Sequence, residues 1–233
     1  MKEFKVISVD MFGTLVDLAG IRHDVWQIFL KDKYTPQKAD KYWTHASDMV
    51  FKYIQDNVIR DRIYIPPKTI FEMTYAKLFA DFGIDFDPEE AALVLAKYHP
   101  YSPPFNDTIA FLNSVGRVYP VCLSTDTDED MLGSLRQLYP FSKVVTSEVI
   151  GAYKTNADNR FFNEVIEHFN VSPGDIIHIG DSASDIIGAN EAGIMSCWLN
   201  RRNRVLPEGT KPDYQVKSLV EAASLLGLDI GSR

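Results

Sequence analysis

The side chains best suited to chemistry in this chain gather where its strand-like segments end. Four of these apolar, β-branched segments are followed by a carboxylate, a hydroxyl or a lysine. The residues concerned are Asp10, Ser124, Thr125, Asp126, Lys154, Asp181 and Asp185. In an open parallel sheet, ligands bind outside the carboxyl ends of the strands. We therefore expect these side chains to lie at one edge of a sheet and to form a single site.

This set of residues suits the transfer of a group through an aspartate. A carboxylate such as Asp10 can take up a phosphoryl or an alkyl group covalently. Attack on a phosphoryl group, which carries negative charge, needs Mg²⁺ held by oxygen ligands and a lysine such as Lys154. Asp181 and Asp185 are four residues apart at a predicted helix start, so both can hold the ion directly or through water.

The phosphate oxygens need hydrogen-bond donors as well. The predicted donors are the Ser124 hydroxyl, the backbone N–H groups of Thr125 and Asp126, and the turn amides of Gly13 and Thr14. Taken singly, each residue has a structural interpretation: the acids can cap a turn or a helix, the hydroxyl can be structural and the lysine can be solvated. Their convergence favours a site, with Asp10, Ser124 and Lys154 as its catalytic residues.

Composition narrows the class of protein. The chain has 233 residues, of which 45% are hydrophobic and 24% charged, as is typical of a globular protein with a sizeable core. Its formal net charge of −8 disfavours nucleic-acid binding but permits a small anionic substrate beside a local cation. Cys122 and Cys197 are too few for a disulfide framework, and no apolar run is long enough to span a membrane. We expect a cytoplasmic protein, monomeric or homodimeric, that binds neither membranes nor nucleic acids.

Strand-like and helical segments alternate in most of the chain. The predicted strands lie near residues 4–10, 118–124, 143–146, 175–180 and 194–199. Between Asp17 and Tyr98 the apolar spacing is helical, with almost no strand signal. Strands that alternate with helices indicate a parallel sheet covered on both faces. We therefore predict an α/β fold with a Rossmann-like sheet, in which residues 1–16 and 99–233 form the core domain and residues 17–98 an inserted all-helical domain.

Four short motifs resemble those of the haloacid dehalogenase (HAD) superfamily. Residues 10–15 (DMFGTL) resemble its first motif, Ser124 the second, Lys154 the third and residues 180–185 (GDSASD) the fourth. The helical segment 17–98 is similar to the type-one cap that closes over the site in this superfamily. The resemblance implies a hydrolase with Asp10 as its nucleophile.

Two features of the sequence resemble the dehalogenases of this superfamily. Residues 197–201 (CWLNR) and 212–213 (PD) look like the tail of the 2-haloacid dehalogenase branch. HAD phosphatases usually carry a second aspartate two residues after the nucleophile, where this chain has Phe12, which cannot move a proton. The dehalogenases tolerate an aromatic residue there. Phe12 therefore favours a dehalogenase that uses Asp10 as nucleophile without metal.

Two other positions favour a phosphatase. Asp181 is present, preceded by Gly180, whereas the dehalogenases typically lack this acid. Beside Asp10 it would be repelled without a cation. The dehalogenases also follow a cap tryptophan with an arginine that binds the substrate carboxylate, but here Trp43 is followed by Thr44. The other arginines considered for binding a substrate carboxylate are Arg22, Arg60 and Arg62.

The sequence thus predicts a Mg²⁺-dependent phosphatase that acts on a small phosphorylated metabolite through an aspartyl-phosphate on Asp10. The resemblance implies that Mg²⁺ is held by Asp10, the carbonyl oxygen of Phe12, Asp181 and Asp185. Asp185 is expected to orient either the ligands of the metal or Lys154. The proton that Phe12 cannot supply is expected from another group. The candidates for it are His23, Asp17 and Asp126. The alternatives to a phosphatase are the dehalogenase and a binding or regulatory protein without turnover.

Overall fold

The computed structural model describes residues 3–230 of the chain. At its centre is a parallel sheet with the strand order β3-β2-β1-β4-β5-β6. The strands are β1 (Val6–Val9), β2 (Val121–Thr125), β3 (Lys143–Thr146), β4 (Ile176–Gly180), β5 (Met195–Leu199) and β6 (Tyr214–Val216). The first five are those predicted from the sequence. β6 is not among the predicted strands because only Val216 of its three residues is buried, which leaves no hydrophobic pattern.

The segment that follows β1 is helical. Its helices are α1 (Arg22–Leu30), α2 (Pro36–Tyr53), α3 (Pro67–Phe82) and α4 (Pro88–Tyr98), and a π-helical turn, Ile54–Ile59, continues α2. They bury an aromatic core of their own, in which the rings of Trp26 and Phe29 lie 5.3 Å apart. The predicted domain limits, residues 1–16 with 99–233 and residues 17–98, stay a prediction.

Local sequence signals set the ends of these helices. Asp87 accepts a hydrogen bond from Glu90 N at 2.8 Å, and Pro88 occupies the first helical position, so α4 begins with a capped turn. α3 begins at Pro67 and ends at Gly83, whose φ of +61° lies in the left-handed region that glycine adopts without strain.

Helices cover both faces of the sheet, which confirms the predicted α/β fold. These helices are α5 (Thr108–Val115), α6 (Gly133–Leu138), α7 (Ser147–Ile150), α8 (Arg160–Phe169), α9 (Ala183–Glu191) and α10 (Leu219–Leu225). Val6 packs with Phe161 of α8 on one face, and Ile7 packs with Phe111 of α5 on the other. Because successive side chains of a strand point to opposite faces, Asp10 points to the same side as Val6.

The thiols and the apolar segments of the chain were also considered in the sequence. Cys122 and Cys197 are free thiols in the core, as expected, and burial raises the pKa of each to about 12. Among the described residues, no helix is both long and apolar enough to cross a bilayer.

Candidate active site

Neighbouring strands bring the predicted acids to one edge of the sheet. β1 lies between β2 and β4. Asp10 directly follows β1, Asp126 follows β2 and Asp181 follows β4. Asp185 lies in the first turn of α9. One carboxylate oxygen from each of Asp10, Asp181 and Asp185 lies within 4.8 Å of the other two, so these acids converge as the sequence analysis expects.

Lys154 lies at the centre of this cluster. Its Nζ donates to Asp10 Oδ1 and to Asp185 Oδ1, both at 2.7 Å, and its side chain is 1% exposed. Burial alone would lower the pKa of Lys154, but Asp10, Asp185 and Asp126 outweigh it and raise the pKa. The lysine is therefore protonated and compensates part of the buried negative charge.

Asp185 is held by four hydrogen bonds. Its Oδ1 accepts from Lys154 Nζ at 2.7 Å and lies 2.9 Å from His178 Nε2, and its Oδ2 accepts from Ser182 N at 2.9 Å and from Ser182 Oγ at 2.6 Å. Burial opposes the charged form, but Lys154 and His178 lower the pKa of Asp185 below its ordinary value. Since each oxygen already has two partners, the geometry favours Asp185 as the group that positions Lys154, which is one of its two expected roles, rather than as a direct metal ligand.

The two hydroxyls at the end of β2 occupy different positions. Ser124 is fully buried, and its Oγ accepts from Ser8 Oγ at 2.8 Å. Ser8 Oγ also lies 2.8 Å from His178 Nδ1, so Ser124 belongs to a polar layer beneath Asp185. Thr125 lines the cavity described below, and Ser124 does not. The geometry therefore favours Thr125 over Ser124 for the expected phosphate contact, because β2 ends one residue later than predicted.

In the turn after β1, the backbone amides of Gly13 and Thr14 donate hydrogen bonds to carbonyl oxygens of the same turn. Gly13 N donates to Val16 O at 2.9 Å and Thr14 N donates to Met11 O at 3.3 Å. The expected phosphate contacts of these two amides therefore lack free donors. Gly13 instead provides space: its φ is +82°, and a Cβ there would lie 2.5 Å from Asp181 Oδ2. Only glycine permits this approach of the turn to the carboxylate.

The donor set of the site fits Mg²⁺. Burial raises the pKa of Asp10 to about 8, Asp185 and Asp181 add to the rise, and Lys154 opposes it. Burial likewise raises the pKa of Asp181, although Arg204 bonds its carboxylate and opposes the rise. The raised pKa values indicate that positive charge around these buried carboxyl groups does not balance their negative charge. Mg²⁺ supplies such charge, and carboxylate oxygens are the ligands that it prefers.

Asp126 ties two parts of the site together. Its Oδ1 accepts from Lys154 N and its Oδ2 accepts from Ser184 Oγ, both at 3.0 Å. Burial raises the pKa of Asp126, and Lys154 opposes the rise. The carboxylate of Asp126 therefore fixes the loop that carries Lys154 against the start of α9. This structural role of the side chain is separate from the expected contact of the Asp126 amide with the substrate.

These groups lie at one end of a cavity of about 320 Å³. We call Asp10 and the lining residues between 125 and 204 the floor, and the lining residues between 43 and 99 the wall. The aromatic residues of the wall are Trp43, Phe51, Phe71 and Tyr75. Its polar side chains besides Tyr75 are Ser47, Gln55 and His99. Within the part of the chain that the structure describes, no Asp, Glu, Lys or Arg side chain lines the wall.

Phe12 and His99 meet where the floor joins the wall. Their rings pack edge to face with centroids 5.1 Å apart, and both line the cavity. His99 Nδ1 lies 2.6 Å from Leu95 O and donates a hydrogen bond to it. Burial lowers the pKa of His99 to about 4, so the ring is neutral at neutral pH. Neither a motif nor a strand end marks the position of His99, so its place in the cavity was not predicted from the sequence.

Most of the residues considered as proton donors in place of Phe12, or as arginines for a substrate carboxylate, lie outside the cavity. Of the three proton donors considered, Asp126 lines the cavity, whereas His23 lies 3.2 Å from the Tyr34 hydroxyl and Asp17 caps a short helix. The three arginines considered each bond a carboxylate outside the cavity. These pairs are Arg22–Asp40, Arg60–Asp61 and Arg62–Glu191.

Comparison with known proteins gives related hydrolases. The chain is 39% identical to the pyrimidine 5′-nucleotidase YjjG of Escherichia coli over 88 residues, which are 37% of this chain and 38% of that relative. The match thus spans well under half of the nucleotidase. The chain is also 23% identical to the putative HAD-hydrolase YfnB of Bacillus subtilis over 98% of both chains.

Solved structures share the fold. The structure of YfnB bound to magnesium has a TM-score of 0.80 at 18% identity and covers 97% of this chain and 100% of that chain. The L-2-haloacid dehalogenase of Xanthobacter autotrophicus with chloropropionic acid covalently bound has a TM-score of 0.79 at 15% identity, with coverage of 96% and 98%. The family model described as haloacid dehalogenase-like hydrolase matches residues 4–193. Since this match spans most of the chain, the protein belongs to the haloacid dehalogenase-like hydrolase family.

Proposed function

We propose that this hydrolase is a Mg²⁺-dependent phosphatase that cleaves a small phosphate monoester through an aspartyl-phosphate on Asp10. The observation that carries the proposal is the presence of Asp181 beside Asp10 and Asp185, with oxygens within 4.8 Å of one another. When all three acids are ionised they repel one another around a single buried lysine, and a divalent cation relieves the repulsion. A metal-free dehalogenase has no use for the third acid. The magnesium in the YfnB structure supports this choice of ion.

The residues of the floor and the neighbouring Phe12 have separate roles in this reaction. Asp10, Asp181 and the carbonyl oxygen of Phe12 would hold Mg²⁺. When bound, the ion neutralises charge on the phosphoryl oxygens and on the carboxylate that attacks them. Asp185 positions Lys154, whose ammonium group lies 2.7 Å from Asp10 Oδ1 and orients the carboxylate for attack.

The reaction has two displacements at phosphorus. An oxygen of Asp10 attacks phosphorus, and the bond to the ester oxygen breaks as the alkoxide leaves. Water then attacks the phosphorus of the aspartyl-phosphate, which frees inorganic phosphate and restores the carboxylate. Thr125 is the hydroxyl that faces the phosphoryl oxygens. Phe12 cannot protonate the leaving alkoxide, so turnover is slow on esters with poor leaving groups unless Asp126 supplies the proton.

The wall supports a substrate with an uncharged, flat organic part. Its lining is aromatic and aliphatic and, among the described residues, carries no charged side chain. The E. coli relative named as a pyrimidine 5′-nucleotidase makes pyrimidine nucleotides the first substrates to test. The substrate is thus a small phosphorylated anion. We retain the predictions that the protein is a monomer or a homodimer and binds neither nucleic acid nor membranes.

One observation favours a dehalogenase as second candidate. Phe12 stands where an aromatic residue suits halide release, which needs no proton. A 2-haloacid, however, carries a carboxylate that must be bound close to the reacting carbon. Among the described residues the wall offers no arginine for it, and the Arg204 guanidinium on the floor bonds Asp181. The phosphatase therefore accounts for more of the site.

Phosphate release from a panel of phosphate esters, with Mg²⁺ and with EDTA, tests the proposal. We expect Mg²⁺-dependent release by the native protein and a loss of about 10⁴-fold or more in Asp10→Asn. Asp48→Asn, at an exposed carboxylate of α2, is the matched control and keeps full activity. Halide release from 2-chloropropionate without Mg²⁺ would instead support the dehalogenase. Mg²⁺ binding without any product would support a binding protein.

A further inference from the structure

One side chain on the wall offers hydrogen bonds that nothing around it accepts. Gln55 lies in the π-helical turn Ile54–Ile59 and lines the cavity. Its Nε2 is buried and has no hydrogen-bond partner among the residues that the structure describes, so the amide rotates toward the cavity when it binds a ligand there. A buried amide without a partner is costly, so such groups are normally satisfied by protein, water or a ligand.

The backbone places this residue beside the cavity. The π-helical register is visible in the bond from Arg60 N to Gln55 O at 3.3 Å, which spans five residues. Such turns are rare and are frequently found at functional sites. Gln55 lines the cavity together with Ile54 and Ile59 of the same turn.

The same turn is anchored to the floor. Val58 packs with Ile70 and Tyr153 in a small buried cluster. Tyr153 directly precedes Lys154, and its hydroxyl donates to Ile65 O at 2.6 Å. The position of Gln55 relative to the reacting groups is therefore fixed through packed residues on both sides of the cavity.

We propose that Gln55 determines specificity by binding a carbonyl oxygen, or a carbonyl beside an N–H, on an uncharged planar ring of the substrate. The proposal rests on the phosphatase function proposed above, because it places the phosphate on the floor and the ring against the wall. The ring is planar because aromatic side chains line the wall, and uncharged because no described side chain there could pair with a charge. The amide offers both a donor and an acceptor, so it matches a ring edge that carries both.

Two phosphate esters separate recognition of the ring from the reaction itself. Uridine 5′-monophosphate and ribose 5-phosphate share the 5′ ester and the alkoxide that leaves, but only the first carries a ring with a carbonyl beside an N–H. We expect Gln55→Leu to lower kcat/KM for uridine 5′-monophosphate by about tenfold, mainly through KM, because one hydrogen bond to the substrate is lost. The rate with ribose 5-phosphate stays unchanged.

Two further variants complete the design. Gln27→Leu makes the same change at an exposed position of α1 and leaves both substrates unaffected. Gln55→Glu keeps a polar side chain of the same size but replaces the N–H donor by an acceptor, so it lowers kcat/KM for uridine 5′-monophosphate at least as much as Gln55→Leu. Thermal unfolding of each variant verifies that the fold is kept.

The outcomes distinguish this proposal from the proposed function. Equal losses with both esters, or no loss in either Gln55 variant, overturn the role of Gln55 and leave the phosphatase in place. If the native protein hydrolyses other esters of the panel but neither of these two, the role of Gln55 is overturned and the phosphatase stays in place. If it hydrolyses no ester of the panel, the proposed function fails, and binding of uridine measured by calorimetry tests the role of Gln55. Weaker binding by Gln55→Leu then supports recognition of the ring, whereas equal binding, or none by the native protein, overturns it.

Discussion

The floor and the wall of the cavity are built on different principles. On the floor, charged groups hold one another: Lys154 bonds Asp10 and Asp185, and Arg204 bonds Asp181. On the wall, side chains pack without charge among the described residues. Charge-assisted bonds set atoms in fixed directions, whereas an apolar surface accepts any group of suitable shape. The floor therefore determines the reaction, and the wall determines which ester reaches it.

Removing the buried lysine is the strongest test of the floor. Lys154→Met leaves Asp10 and Asp185 without their shared cation, which lowers both the activity and the stability of the protein. We expect kcat/KM to fall by about 10²–10³-fold for every ester. We also expect the free energy of unfolding to fall by about 3–5 kcal/mol, because buried carboxylates remain unpaired. Kinetics with several esters and denaturant unfolding measure the two effects.

Lys97→Met, at an exposed lysine of α4, is the control for this substitution and leaves both quantities unchanged. A loss of activity confined to one ester would place Lys154 in substrate selection. The distinction between floor and wall would then break down.

Phe12 lies between the two regions, so its replacement sharpens the comparison. Phe12→Asp supplies an acid at the cavity surface, and we expect phosphatase activity to rise by about 10²-fold on alkyl esters, whose leaving group needs a proton. The gain is smaller with 4-nitrophenyl phosphate, which has a good leaving group. Phe12→Leu removes the ring contact with His99 without adding an acid and serves as the control. Equal rates in the two variants would contradict the role assigned to the acid.

The charge of the floor predicts how Mg²⁺ binding depends on pH. Burial raises the pKa of Asp10 to about 8, so below that pH the native carboxyl is mostly protonated. Mg²⁺ must displace this proton, and its apparent affinity therefore rises by up to about tenfold per pH unit as pH approaches 8, then levels off. Calorimetric titration between pH 6 and 9 measures the slope. Asp10→Asn loses this slope, and a flat profile in the native protein would contradict the charge assigned to the floor.

The parts of the site that the sequence predicts are those that follow strands directly. Asp10 and Asp181 end neighbouring strands, and the carboxyl ends of parallel strands meet at one edge, so hydrophobic pattern alone predicts their approach. Ser124 and Thr125 both lie at the end of β2, and pattern does not fix a strand end to one residue. Gln55 lies in a π-helical turn, for which the sequence carries no comparable signal.

The α/β fold class, the resemblance to the HAD superfamily and the acids of the floor follow from the amino-acid sequence, because apolar periodicity and motif spacing are local properties of the chain. The bond between Asp185 and Lys154, the place of His99 in the cavity and the absence of charge from the described wall are visible only in the folded chain. These features depend on contacts between distant segments, as between Lys154 and Asp10, which are 144 residues apart. Packing and burial set such contacts, and neither can be inferred from neighbouring residues alone.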